Sequence, residues 1–223
     1  MNRYDFHTHS IFSDGALLPA ALIREAEIRD HAALAITDHI DASNIKEVLT
    51  ALTTFEKDMK GKLPLKFFPG VEISYIRPEY IAEYCKKSRK LGAKVILVHG
   101  ESPVEPVYAG TDHAAVSQKG FVDILAHPGN NLTEEDALLA AKNGVFLEIS
   151  ARRGHKEGNK HVAELARKCG AKLLVNTDCH TENDLLTYEQ AFEVAKAAGL
   201  SDLEAKIALT DNPLELIKRI ESR

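Results

Sequence analysis

Lys94-Val95-Ile96-Leu97-Val98-His99-Gly100 is a run of four apolar residues that ends on an imidazole and a glycine. A short run apolar on both faces suits a strand covered on both sides, as strands of a parallel sheet are. Six further stretches have the same character, at 4–8, 33–37, 66–74, 122–127, 145–150 and 172–177, so with 94–99 there are seven strand candidates. Helix-period segments fall between them. The stretch 78–91 carries Ile81, Tyr84, Cys85, Ser88 and Leu91 on one stripe and stops at Gly92. Thr133 caps 134–143, with acids in the first turn and Gly144 as its stop. Helices are expected also at 159–169, 181–198 (its beginning open to a loop reading) and 214–220. Strand and helix alternate about every 22 to 33 residues, which calls for parallel βαβ units. With no linker or low-complexity stretch, the chain reads as one domain over residues 1–223.

Such units build either an open doubly wound sheet or a closed barrel. No G-x-G-x-x-G follows the first strand and no G-x-x-x-x-G-K-S/T occurs, which removes the main support for a dinucleotide or P-loop reading. The 28 Lys and Arg against 33 Asp and Glu leave a net charge of −5, which argues against a large nucleic-acid footprint. Three scattered cysteines do not make a disulfide scaffold. The polar start MNRYDFHTHS is no signal peptide, and no apolar run is long enough to span a bilayer. A reducing cytoplasm is the expected compartment.

Ten histidines stand out, and their positions matter more than their number. His7 and His9 close the first candidate strand, His39 the second, His99 the fourth and His127 the fifth; Glu72 lies late in the third, and Asp178 and His180 follow the last. Strands of a parallel barrel present their C-terminal ends to one face, so these groups converge. A dense set of imidazoles and carboxylates is costly to bury unless a cation compensates it, and nitrogen and oxygen donors suit Zn, Mn or Fe. Residues 150–156, Ser-Ala-Arg-Arg-Gly-His-Lys, place Arg152, Arg153 and His155 after the sixth strand. Guanidinium groups there suit phosphate, and His155 is a candidate to protonate a leaving oxygen. Glu101 and His113, in the stretch after His99 that could wall a substrate pocket, are weaker candidates. Asp5 and Asp38 could orient neighbouring imidazoles or simply bond the strand ends. Cys179, between two site residues, should point away into packing.

Asp5-Phe6-His7-Thr8-His9-Ser10, Ser13-Asp14-Gly15, Thr37-Asp38-His39, Gly70-Val71-Glu72, Val98-His99, Ala126-His127-Pro128-Gly129 and Thr177-Asp178-Cys179-His180 together resemble the PHP (polymerase and histidinol phosphatase) family over essentially the whole chain. The resemblance implies an α/β fold, a distorted (β/α)7 TIM-like barrel with three divalent ions at its C-terminal face. It puts His7, His9, Glu72 and Asp178 on one ion, Glu72, His99 and His127 on a second, and Asp14, His39 and His180 on a third. Asp178 and His180 would then be catalytic as well as ligating. All nine positions carry a competent ligand, whereas inactive relatives typically lose some. Tyr75 departs from the family, whose members tend to have His near that position.

The chemistry so implied is attack on phosphorus by a water acidified between two ions, with Arg152, Arg153, His155 and Glu101 around the substrate. A phosphomonoester of a small metabolite is expected, histidinol phosphate or a nucleotide among them. A phosphodiesterase is the nearest alternative, a non-catalytic metal-binding module a remoter one, and amide or lactone hydrolysis is disfavoured by the basic stretch at 152–156.

Overall fold

The structure is a computed structural model that describes residues 1–102 and 104–223. Pro103, in the expected substrate wall, lies outside the described residues. The strands are β1 (Arg3–Asp5), β2 (His31–Ile36), β3 (His39–Ile40), β4 (Lys66–Ile73), β5 (Val95–His99), β6 (Ile124–Ala126), β7 (Phe146–Ser150) and β8 (Leu173–Asn176). Seven of them form one parallel path in the order β1-β2-β4-β5-β6-β7-β8, and the two-residue β3 pairs with β4 beyond the end of β2. This is the expected distorted seven-stranded α/β barrel in a single domain.

Between β1 and β8 a seam takes the place of a full ladder. Thr8 and Cys179 form a lone parallel bridge, the His9 N–H donates to the Cys179 carbonyl at 2.8 Å, and the Phe6 N–H donates to the Asn176 side-chain Oδ1 at 3.0 Å. The first strand is therefore shorter than the 4–8 stretch suggested, because its last residues meet a side chain where a ladder would continue.

Helices α1 (Pro19–Ile28), α2 (Ile45–Met59), α3 (Ile81–Lys90), α4 (Thr111–Val116), α5 (Glu134–Asn143), α6 (Asn159–Cys169), α7 (Tyr188–Ala197), α8 (Asp202–Lys206) and α9 (Asn212–Glu221) accompany the strands. Residues 181–187, open between helix and loop in the sequence, are loop, and a Thr187–Gln190 capping box starts α7. No helix among the described residues is long and apolar enough to cross a membrane.

Alternation along each strand separates two cores. Leu34 and Ile36, Ile96 and Val98, and Leu147 and Ile149 face the helices, whereas Ala33 and Ala35, Val95 and Leu97, and Phe146 face the barrel interior. Leu216, Ile217 and Ile220 of α9 join that inner cluster and plug the lower end of the barrel. Following the inward parity to the upper rim reaches Glu72 on β4, His99 on β5 and Glu148 on β7, all three buried. The sheet that buries alternate apolar residues thus delivers alternate polar ones to a single mouth.

The loops after β6 and β7 touch backbone to backbone. A Cβ on Gly158 would lie 2.4 Å from the Gly129 Cα, a contact that only displacement of one loop relieves. G158A is expected to lower stability by about 2–3 kcal/mol, or Tm by roughly 5–10 °C. A thermal melt matching the wild type would show that these loops separate freely.

Candidate metal centre

His7, His9, Glu72, His99, His127 and Asp178 are all buried at the C-terminal mouth of the barrel, and Asp14, His39 and His180 extend the cluster to solvent. Their donor atoms fall into overlapping groups spaced as a cation requires: Glu72, His99 and His127; His7, His9 and Glu72; His7, His127 and Asp178; and His9, Asp14, His39 and His180. All nine positions expected to ligate are therefore brought together. Glu72 belongs to two groups, with Oε2 3.1 Å from His7 Nε2 and Oε1 3.4 Å from His127 Nε2. Asp178 reaches His9 Nε2 with Oδ1 at 3.2 Å. His9 falls both in the group with His7 and Glu72 and in the one with Asp14, His39 and His180.

The electrostatics are those of a set awaiting positive charge. Both ring nitrogens of His9, Oε1 of Glu72 and Nδ1 of His127 are buried without a hydrogen-bond partner among the described residues. An orphaned buried donor or acceptor costs about 1–3 kcal/mol, more when charged. Burial opposes ionisation of Glu72, but His7, His39 and His99 outweigh it and hold the carboxyl well below its usual range. Burial would lower His7, yet Glu148, Glu72 and Asp178 raise it well above the ordinary value. His9 goes the other way: burial, then the neighbouring His39 and His7, push it far down. An imidazole kept neutral beside an ionised carboxylate is the donor pair that a divalent ion takes.

Glu148 escaped the sequence reading. It sits fully buried in the apolar run of β7 and receives the His7 ring Nδ1 at 2.9 Å, the His127 N–H at 3.0 Å and Asn176 Nδ2 at 2.8 Å. It fixes the His7 tautomer so that Nε2 faces the cluster. A carboxylate at an inward position of an otherwise apolar strand was the signal that could have found it. His127 and Asp178 both hold left-handed backbones (φ 27° and 53°), a strain that tertiary packing must sustain. Asp38 and Asp5 hold backbone and hydroxyls in place of imidazoles. Asp38 accepts from the Ser10 N–H and the hydroxyls of Ser10 and Ser13, all at 2.7 Å, and Asp5 from Thr177 Oγ1 at 2.7 Å. Cys179 points away, as expected, and its Sγ donates to the Thr181 carbonyl.

Among the expected substrate residues, Arg152 and His155 join the cluster. Arg152 places Nε 3.6 Å from Asp178 Oδ2 and donates from Nη1 to the Asp178 carbonyl at 3.1 Å. His155 stacks on His127 with ring centroids 3.9 Å apart, and its Nδ1 lies 2.7 Å from Ser102 Oγ. Burial, with His127 next, lowers its pKa to about 4, so it is a neutral imidazole at pH 7. Arg153 is exposed, with no hydrogen bond or ion pair to the described residues. Glu101 turns into a reciprocal brace with Asp112, its N–H donating to Asp112 Oδ1 and its Oε1 accepting from the Asp112 N–H. His113 pairs with Asp136.

Two outcomes follow. E148Q, which presents an amide N–H to groups that already donate, is expected to weaken retained divalent metal about 10–100-fold, read by titration and elemental analysis after dialysis. Undiminished affinity would mean Glu148 only fills space. Burial raises Asp112 to about 8, and its Oδ2 has no hydrogen-bond partner among the described residues. A carboxyl whose folded pKa is raised contributes stability that is complete below about pH 4 and lost as pH rises through 8. D112N is therefore expected to gain roughly 1–3 kcal/mol at pH 8, shrinking toward zero near pH 4. Parallel stability curves for the two proteins between pH 4 and 8 would refute this.

Comparison with known proteins agrees with this geometry. The model of the PHP domain matches residues 5–172. An uncharacterized protein of Methanocaldococcus jannaschii is 44% identical over 220 residues, covering 98% of this chain and 100% of that protein. Among solved structures, a chain of archaeal ribonuclease P with mature tRNA superposes with a TM-score of 0.69 at 18% identity, over 98% of this chain and 89% of that one. Histidinol phosphate phosphatase from Lactococcus lactis, complexed with zinc, L-histidinol and phosphate, superposes with a TM-score of 0.64 at 17% identity, over 90% of this chain and 95% of that one. The barrel, the ligand cluster and the matched span agree, and the chain belongs to the PHP domain family.

Proposed function

We propose that the chain is a metal-dependent phosphoesterase that hydrolyses a phosphomonoester of a small metabolite. The observation that carries this reading is the convergence of nine N and O donors, several orphaned in the interior, beside a half-buried arginine. Three divalent ions, zinc, manganese or iron, suit the donor sets assigned to His7, His9, Glu72 and Asp178, to Glu72, His99 and His127, and to Asp14, His39 and His180. Such ions, when bound, acidify a water and neutralise charge on phosphate oxygens.

The chain's own groups do the rest. For His180 to ligate through Nε2, its Nδ1 must carry the proton, which the Asp178 carbonyl accepts at 2.9 Å. Arg152 Nη1, now 2.6 Å from that nitrogen, must then swing away, and a bound phosphate gives it somewhere to go. The neutral His155, held through Nδ1 by Ser102 and stacked on His127, turns Nε2 toward Asp178 Oδ2 at 3.7 Å, where it can hydrogen-bond a non-ester phosphoryl oxygen of a substrate. Arg153 lies outside this cluster and would meet only the far part of a larger substrate. Histidinol phosphate and nucleotides remain candidate substrates, and nothing in the basic stretch selects between them. The small substrate, an absence of nucleic-acid partners and a cytoplasmic location stay part of the proposal.

A second reading, a protein subunit without turnover, is favoured by the ribonuclease P chain among the neighbours. The complete ligand set weighs against it. The deciding experiment is phosphate release from a panel of phosphorylated metabolites with manganese or zinc. Metal-dependent turnover of at least one monoester is expected, and R152A should raise its KM about 10-fold with metal content unchanged. Fully loaded protein that turns over none of the panel would sink the enzymatic reading.

A further inference from the structure

The centre is lopsided. On one side the side chains of Asp14, His39 and His180 are 54%, 21% and 11% exposed. On the other, those of His99, His127 and His155 are at most 2% exposed. The difference has a cause in residues outside the expected ligand set. Val104 and Glu105, beyond β5, cross the mouth toward the loop after β7. A Cβ built on Gly154 would meet Val104 Cγ1 at 3.0 Å, so Val104 lies against that glycine. Glu105 sets Oε1 3.9 Å from His155 Nε2 and Oε2 2.8 Å from His99 Nε2, the latter a contact that an ion on Nε2 would replace because His99 Nδ1 faces the Gly100 carbonyl at 3.0 Å. Tyr75, in the left-handed region (φ 56°) just past β4, donates its hydroxyl to Glu105 Oε2 at 2.8 Å and lays its ring over His99 at 5.9 Å. Tyr75 and Glu105 thus tie the ends of β4 and β5 together and roof one half of the centre.

In-line displacement at phosphorus needs the leaving group opposite the attacking oxygen. A phosphomonoester has one organic arm, which can leave through the Asp14–His39–His180 side. A phosphodiester has a second arm that stays on phosphorus and must extend in another direction, and the roof closes the other side of the centre. We propose that Tyr75 and Glu105 are specificity-determining residues that restrict the centre to terminal phosphates. The inference rests on the phosphomonoesterase reading and names the residues that impose it.

The test uses metal-loaded wild type, Y75F and the double variant Y75A/E105A, each checked for metal content. One arm measures kcat/KM for p-nitrophenyl phosphate and bis(p-nitrophenyl) phosphate. The other measures calorimetric binding of phenylphosphonate and its monomethyl ester, which mimic mono- and diester without being hydrolysed. Wild type should prefer the monoester and the free phosphonate by at least about 100-fold. Y75A/E105A should narrow both ratios by at least 10-fold with full metal content, and Y75F should narrow them less. Ratios that stay put in the double variant overturn the proposal, as does loss of metal, which would make the pair part of the ion site. Protein that binds the phosphonates selectively but hydrolyses nothing would overturn the enzymatic reading and leave the roof's role supported.

Discussion

Five fully ringed-in imidazoles and three buried carboxylates share one end of this barrel, and their mutual desolvation is what the upper half of the molecule is arranged around. Glu148 holds His7 through the ring and His127 through the backbone, and is itself held by Asn176. The left-handed turns at His127 and Asp178 put side chains where an unstrained backbone would not. Several of these nitrogen and oxygen atoms nevertheless have no hydrogen-bond partner among the described residues. Burial of this much polarity opposes folding, and nothing in the apolar cores can substitute for charge compensation.

The lower half answers to a different demand. Alternate residues of each strand fill either the helix-facing core or the interior, and α9 closes the interior from below with Leu216, Ile217 and Ile220. That arrangement makes the barrel a packed floor on which the mouth rests. It leaves the ends of the strands, where apolar alternation gives way to polar residues, as the place where chemistry can sit.

The sequence carried much of this openly. The seven strands were legible because parallel strands covered on both faces read as continuous apolar runs, and eight of the nine candidate ligand positions because each stands at or near the end of such a run, whereas Asp14 came only from the family resemblance. Glu148 was hidden for the converse reason: it lies inside a run, Phe146-Leu147-Glu148-Ile149, and only its inward parity marks it. Asp38 could be read as orienting an imidazole or as bonding a strand end, and the turn after β1 decides for the second by bringing Ser10 and Ser13 to it. Glu101 and Arg153 stand beside the site in sequence, yet loop paths carry one to Asp112 and the other to solvent. The Tyr75–Glu105 contact joins two loops 30 residues apart, and no local pattern encodes such a meeting.

The seam between β1 and β8 has a further meaning. His7 and His9 stand on one bank, Asp178 and His180 on the other, and between the two strands run one lone bridge with its backbone hydrogen bonds and a few side-chain hydrogen bonds through Asn176 and Asp5. A cation shared by ligands from both banks would be a rivet across a place where the hoop of strands is only thinly sewn by its own backbone. Occupancy of the centre would then bear on the closure of the barrel, and the mouth would serve also as a clasp for the fold.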